Sequence, residues 1–354
     1  MQSWTCSLIS NHWSFMDITR EQSLNIRGLT ILLAVIHNYV FRPMGINCNE
    51  FIFSQDHIDH FLAHVFSLQA PWYLVSFAVW PLVASFFFFS GFGLTKKYGE
   101  GKLDKWQYIK NHLFKLWALL IPVFTVYVLL FYGVFGHPWN IPSILAQLTF
   151  TVNPLCFGDN VFVIEPGIYW FLGVILQLYL LFLLFRRLKT SWLWVLLGIF
   201  IIIHYLVLYL TNNDVLMWCR INAIGWGAPF LLGMIAAKTP LNLSKRQNAI
   251  ICLLSGAMMF ICVTNKFLAP LSEISGVVFA VSLSRIISWK AFAWAGGISA
   301  SIYMVHPLLK MVFYELGPGS IPLSLVFYFV LSIALSWLYS LLIKAILPNK
   351  PKSR

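Results

Sequence analysis

Ten apolar runs divide the chain, at about 26–43, 71–95, 113–136, 166–185, 191–211, 221–237, 247–265, 268–286, 291–313 and 321–345. A helix rises about 1.5 Å per residue, so about twenty residues cross the hydrocarbon of a bilayer. Backbone polar groups in lipid must be satisfied within the segment, and runs of this length do that as helices. Composition agrees: 59% of residues are hydrophobic and only 10% are charged, against about 25% charged in a soluble domain. The expected fold is all-α, a polytopic membrane protein of about ten transmembrane helices with both termini cytoplasmic. The first run is short, and the sixth is rich in glycine (Gly225, Gly227, Gly233). Small residues of that kind let helices pack closely.

The net charge of +12 follows from topology. Arg42, Arg220, Lys266 and Lys310 fall on one side of the expected bundle, and the rest of the 24 Lys and Arg fall on the other. The basic side of a membrane protein is its cytoplasmic side. No Lys-rich tail or nucleic-acid signature is present, and no nucleic-acid partner is expected. The six cysteines form no CxxC pair, so metal and redox readings are weak and no metal is expected. Cys48 and Cys156 share the outer side, where a disulfide is possible but not indicated.

Positive charge is absent before Arg20, and the first residues lack a signal-peptide layout. Residues 1–15 look unrelated to the rest, and Met16 reads as a natural start for a membrane enzyme. The expected organisation is an N-terminal extension (1–22), one membrane domain (23–347) and a basic cytoplasmic tail (348–354). No internal repeat or low-complexity tract appears. Two longer outer loops, 44–70 and 137–165, have room for short helices at the membrane face.

An ionisable group inside a membrane is costly and is a functional candidate by default. In "SLNIRGLTILLAVIHNYVF" (23–41), Arg27 marks the cytoplasmic end of the first helix. His37 lies ten residues on, about 15 Å deeper. A lone buried histidine is more often a core residue bonded to a neighbouring helix than a catalyst. A second buried imidazole, His204, reads as a structural hydrogen-bond donor and as the reserve candidate.

The stretch "RGLTILLAVIHN" resembles the first-helix signature of the acyltransferase 3 family of membrane acyltransferases. Four more stretches are similar to its motifs, in the same order: "FFFFSGFGLTKKY" (86–98), "YIKNHLFKLWALLIP" (108–122), "IYWFLGVILQLYLLF" (168–182) and "ISASIYMVHPLL" (298–309). The resemblance covers about residues 24 to 345. It implies transfer of an acyl group, usually acetyl, from cytoplasmic acyl-CoA to an acceptor such as a surface glycan or its lipid-linked precursor. The implied setting is the bacterial inner membrane. Acetyl-CoA is then the donor substrate, the lipid bilayer and a glycan are the other partners, and the oligomeric state is open.

Within that expectation Arg27 suits a donor phosphate, since guanidinium is a planar, permanently charged fork. His37 is the expected general base, taking the acceptor's hydroxyl proton. Ser90, with Gly91 and Gly93, and the basic residues Lys110, His112 and Lys115 sit on the donor side. For the glycines, tight helix packing weighs as much as ligand approach, and the lysines also suit lipid headgroups. Glu50, Glu165, Tyr169, Trp170, Tyr303 and His306 sit on the acceptor side. Rings there stack on sugars, but Trp and Tyr also form ordinary interfacial belts. His306 precedes Pro307 and either orients the acceptor or supports the fold. His57, His60 and His64 follow i, i+3, i+7 spacing, which favours an amphipathic interfacial helix over a zinc site.

One departure stands out. The family pattern more often has ten residues between the arginine and the histidine, and here there are nine. Ten helical steps of about 100° end about 80° short of a whole number of turns, so Arg27 and His37 do not share a face of a regular helix. Either the helix begins after Arg27, or a distortion restores the face, or Arg27 binds elsewhere. Two other function classes fit the composition, a polytopic transporter and a non-catalytic subunit of glycan assembly or export. No repeated halves of the transporter kind are evident.

Overall fold

The computed structural model describes residues 18–40, 53–68, 70–239, 243–317 and 321–347. Met16, Arg42, Cys48 and Glu50, and the tail from 348, lie outside them. No strand occurs among the described residues. The first helix, α1 (Arg20–Val40), is opened by a reciprocal cap. Gln22 N donates to Thr19 Oγ1 at 3.1 Å, and Thr19 N donates to Gln22 Oε1 at 2.9 Å. That arrangement satisfies two of the backbone donors a helix start leaves open. α1 is unbroken from Arg20 onward, so a helix beginning after Arg27 is ruled out.

The short α2 (Gln55–His64) follows, capped by Ser54. Next come the long α3 (Ala70–Tyr98) and α4 (Lys105–Val128), the latter extended by a π-helical turn, Leu129–Val134. The outer loop holds α5 (Ile141–Leu148) and α6 (Val152–Leu155). Then follow α7 (Trp170–Phe185), α8 (Thr190–Leu210), α9 (Asn213–Arg220), α10 (Ala223–Lys238) and α11 (Lys245–Val263). The chain continues through α12 (Ser272–Leu283), α13 (Lys290–Gly297), α14 (Ser299–Glu315) and α15 (Ile321–Ile346).

Six of these helices are long and apolar enough to cross a membrane, or seven if α9 and α10, bent by 41°, count as one span. They account for the second to seventh and the tenth runs, and leave the first, eighth and ninth. The expected ten crossings are therefore not established as such. α1 is less apolar, the eighth run is a short 3-10 turn and α12, and the ninth breaks at Ile298 into α13 and α14. The faces of α8, α11 and α15 turned away from the bundle carry exposed Trp194, Leu253, Leu254, Phe327 and Val330. A contiguous apolar exterior of this kind is stable against lipid. The protein is an integral membrane protein.

Glycine sets two of the closest helix contacts. A Cβ on Gly28 would run into the Phe292 carbonyl, and one on Gly296 into the Leu24 carbonyl, which locks α1 to α13. Gly91 and Gly233 meet the Phe230 and Phe88 carbonyls in the same reciprocal way across α3 and α10. Packing, not ligand approach, is therefore what Gly91 serves. Gly93 has open space where a Cβ would stand and faces the cavity described below.

A second anchor was not foreseen. Arg220, counted in the sequence only as one of four cations on the outer side, is 1% exposed and pairs with Glu273 of α12. Its guanidinium lies between the rings of Trp80 and Trp226, at 4.8 Å from each. Arg220 Nη1 also lies 3.0 Å from His204 Nε2. Because Arg cannot accept, His204 is the acceptor there and not the donor expected from sequence. The readable signal was Glu273, an acid inside an apolar run, which requires a cation nearby.

Candidate active site

A cavity of about 800 Å³ opens where α1, α3, α4, α7 and α14 meet. Its volume falls within the about 300–1,000 Å³ of typical small-molecule sites. Along α1 the lining runs from Arg20 to Asn38 and along α3 from Lys96 back to Val79. Each stretch corresponds to about 25 Å of helix, so the cavity follows most of the bundle's height.

The two ends differ in chemistry. One end carries Arg20, Arg27 and Lys96, and no acidic side chain is among the described lining residues. Arg27 Nη2 donates to Ser299 Oγ at 3.2 Å, and Ser299 Oγ donates to the Gly296 carbonyl at 2.9 Å. Among the described residues no carboxylate pairs with Arg27. A guanidinium held by one neutral hydroxyl keeps most of its donors for an anion. The opposite end carries aromatic and imidazole groups: Trp170, Phe171, Tyr303 and His306.

The lining face of α1 is Arg20, Ser23, Arg27, Ile31, Ala34 and Asn38, with His37 absent from it. The unbroken helix explains this, because the nine-residue gap turns His37 about 80° away from Arg27. Asn38, eleven residues from Arg27, occupies the cavity face at that depth instead. His37 is fully buried and lies within electrostatic reach of His57 on α2.

Of the other expected donor-side groups, Ser90 lines the cavity beside Gly93. Lys110 and Lys115 do not. Both are exposed, and Lys110 Nζ sits 4.9 Å over the Trp106 ring. On α4 the cavity face is Leu116 and Leu119, and Lys115 is turned one step of about 100° from Leu116. His112 is buried, with Nδ1 donating to the Tyr108 carbonyl at 2.7 Å.

On the acceptor side Trp170 and Tyr303 line the cavity, the Tyr303 hydroxyl donating to the Ile168 carbonyl. Tyr169 is wholly buried, with its hydroxyl on the Met304 carbonyl at 2.7 Å. It is a core residue, neither belt nor sugar contact. Glu165 accepts from the Tyr132 hydroxyl. Glu50 lies outside the described residues. His57, His60 and His64 do not converge: His57 stacks on Phe77 at 4.3 Å, whereas His60 faces outward.

His306 also lines the cavity. It is 1% exposed, and its Nδ1 lies 2.7 Å from the Ile302 carbonyl. Its neighbour Pro307 has no N–H, which frees the Tyr303 carbonyl from the helix ladder beside it.

No curated protein and no solved structure matches the chain. The sequence profile of the acyltransferase 3 family, described as an acyltransferase domain, matches residues 23–341. That match covers nearly the whole bundle and every lining residue beyond Arg20. The chain belongs to the acyltransferase 3 family, and the activity of this membrane protein is acyl transfer.

Proposed function

We propose that the protein moves an acyl group, acetyl in the simplest case, from acyl-CoA to a hydroxyl of a cell-surface glycan or its lipid-linked precursor. The setting is a bacterial inner membrane with the basic end of the bundle, and both termini, in the cytoplasm. One observation carries this reading: among the described lining residues the cavity has three cations and no acid at one end, and rings and an imidazole at the other. Coenzyme A is polyanionic at its nucleotide and thin along its pantetheine arm. Arg27, Arg20 and Lys96 suit the phosphates. The largely apolar shaft past Ile31, Ala34 and Phe89 suits the arm and excludes water from the thioester. Trp170, Phe171 and Tyr303 offer ring faces to a sugar acceptor. Two buried imidazoles, His306 in the lining and His37 off it, are the candidates for general base.

Purified protein in lipid nanodiscs, given labelled acetyl-CoA and envelope glycan precursors, should release CoA and label the glycan. Protein that takes up a solute across vesicles without consuming acetyl-CoA would sink this reading and favour a transporter, which the cavity's length also suits.

A further inference from the structure

We propose that His306, on α14, is the general base of the cavity. This inference rests on the acyltransferase reading above and assigns one of its two imidazoles.

Ser299, Tyr303 and His306 stand at i, i+4 and i+7, which places them on one face of α14, and all three line the cavity. Ser299 holds Arg27. Seven residues at about 1.5 Å put His306 about 10 Å further along the shaft. The cation and the imidazole thus belong to one lumen and are separated along it, as a phosphate and a remote thioester require.

The ring's protonation pattern follows from its partner. A carbonyl oxygen only accepts, so the 2.7 Å bond to Ile302 places the proton on Nδ1. The neutral ring then carries its lone pair on Nε2, on the side away from that bond. Nε2 is buried and has no hydrogen-bond partner among the described residues. A buried acceptor without a partner is destabilising, and an incoming hydroxyl would relieve that cost. The residue is also held from behind, since the Tyr328 hydroxyl donates to its carbonyl at 3.3 Å. The titratable and charged groups around it are Tyr303 and Lys310 on α14, Tyr328 on α15 and Tyr169 before α7. No carboxylate lies among the described lining residues.

The step balances as follows. The acceptor oxygen attacks the thioester carbon while its proton passes to His306 Nε2. The C–S bond breaks, the ester forms, and the departing thiolate takes the proton from Nε2 to leave as CoA thiol. The base is restored.

The test uses the full chain in nanodiscs with acetyl-CoA as donor and octyl glucoside as the hydroxyl probe. CoA release is followed against pH, and acetyl-CoA binding is measured separately. His306→Gln keeps an amide donor for the ring's hydrogen bond but removes the base. The expected result is a kcat about 100-fold lower or more, with acetyl-CoA binding within about twofold and the acid limb of the pH profile gone. Added imidazole should restore part of the rate to His306→Ala. If His306→Gln fails to fold, His37→Ala decides: it leaves His306 in place and should keep the acid limb. Wild-type turnover in His306→Gln, or loss of the acid limb in His37→Ala, would overturn this inference alone. A wild-type protein that neither binds acetyl-CoA nor releases CoA from it overturns the acyltransferase reading and this inference with it.

Discussion

Arg27 and Ser299 stand 272 residues apart in sequence and meet at 3.2 Å. Their bond ties the first helix to the fourteenth at the basic end of the cavity. It aims a guanidinium along the shaft without neutralising it. Removing the hydroxyl in Ser299→Ala should loosen the guanidinium and raise the KM for acetyl-CoA about fivefold, which corresponds to about 1 kcal/mol of lost positioning. Arg27→Ala should raise it more, about tenfold to a hundredfold, because a charged partner to phosphate is lost. Arg27→Lys should recover only part, since the fork is gone. Initial rates over a range of donor concentrations check all three. Equal KM values in Arg27→Ala and the wild type would remove the cation from the donor site.

The glycines separate packing from binding. Gly28→Ala or Gly296→Ala drives a methyl into a carbonyl of the facing helix, and each should cost about 1–3 kcal/mol or more. Gly93→Ala meets nothing within 4 Å. It should leave the unfolding temperature in detergent unchanged while narrowing the cavity and slowing acyl transfer. A Gly93→Ala protein as unstable as Gly28→Ala would show that Gly93 serves packing and not the cavity.

Much of this was legible in the sequence. Apolar length alone marks α3, α4, α7, α8, α11 and α15, because lipid enforces long self-satisfied helices. Helical arithmetic on one nine-residue gap also separated Arg27 from His37, and the unbroken α1 keeps them apart. Other features needed three dimensions. The break at Ile298 follows the Gly296–Gly297 pair, a turn signal that the apolar length of the run outweighs in the sequence. Lys115 and Leu116 differ only in azimuth, which charge counting ignores. His306 reads from sequence as orienting the acceptor or supporting the fold, and sequence shows neither its bond to Ile302 nor the buried Nε2 without a partner among the described residues. Arg220 read only as an outer-side cation because its partner, Glu273, lies 53 residues away.

His57 gives a stability signature in acid. Burial, then the nearby His37 and His60, pull its imidazole from 6.5 down to about 4. Between those values the unfolded chain binds the proton that the folded chain refuses. Stability is therefore intact above pH 6.5 and falls as pH drops toward 4. Unfolding temperature in detergent should decline through that window. His57→Phe, which keeps a ring against Phe77 and cannot titrate, should decline less. Identical acid curves for the two proteins would show that His57 contributes nothing.

The Arg220–Glu273 pair should behave as a structural lock, separate from the chemistry. Both groups are buried, so each is tolerated only because the other is present. Glu273→Gln leaves a guanidinium uncompensated between Trp80 and Trp226, and Arg220→Met leaves a bare carboxylate. Either single change should cost about 3–5 kcal/mol, whereas the double change Arg220→Met with Glu273→Leu should recover much of that loss. His204 would lose its donor in the double variant and so sets a limit on the recovery. Because neither residue lines the large cavity, folded double variant should keep the wild-type KM for acetyl-CoA. Thermal unfolding of the four proteins, with donor kinetics on those that fold, gives the coupling energy directly. Additive losses in the two single variants would mean that the pair is not a lock.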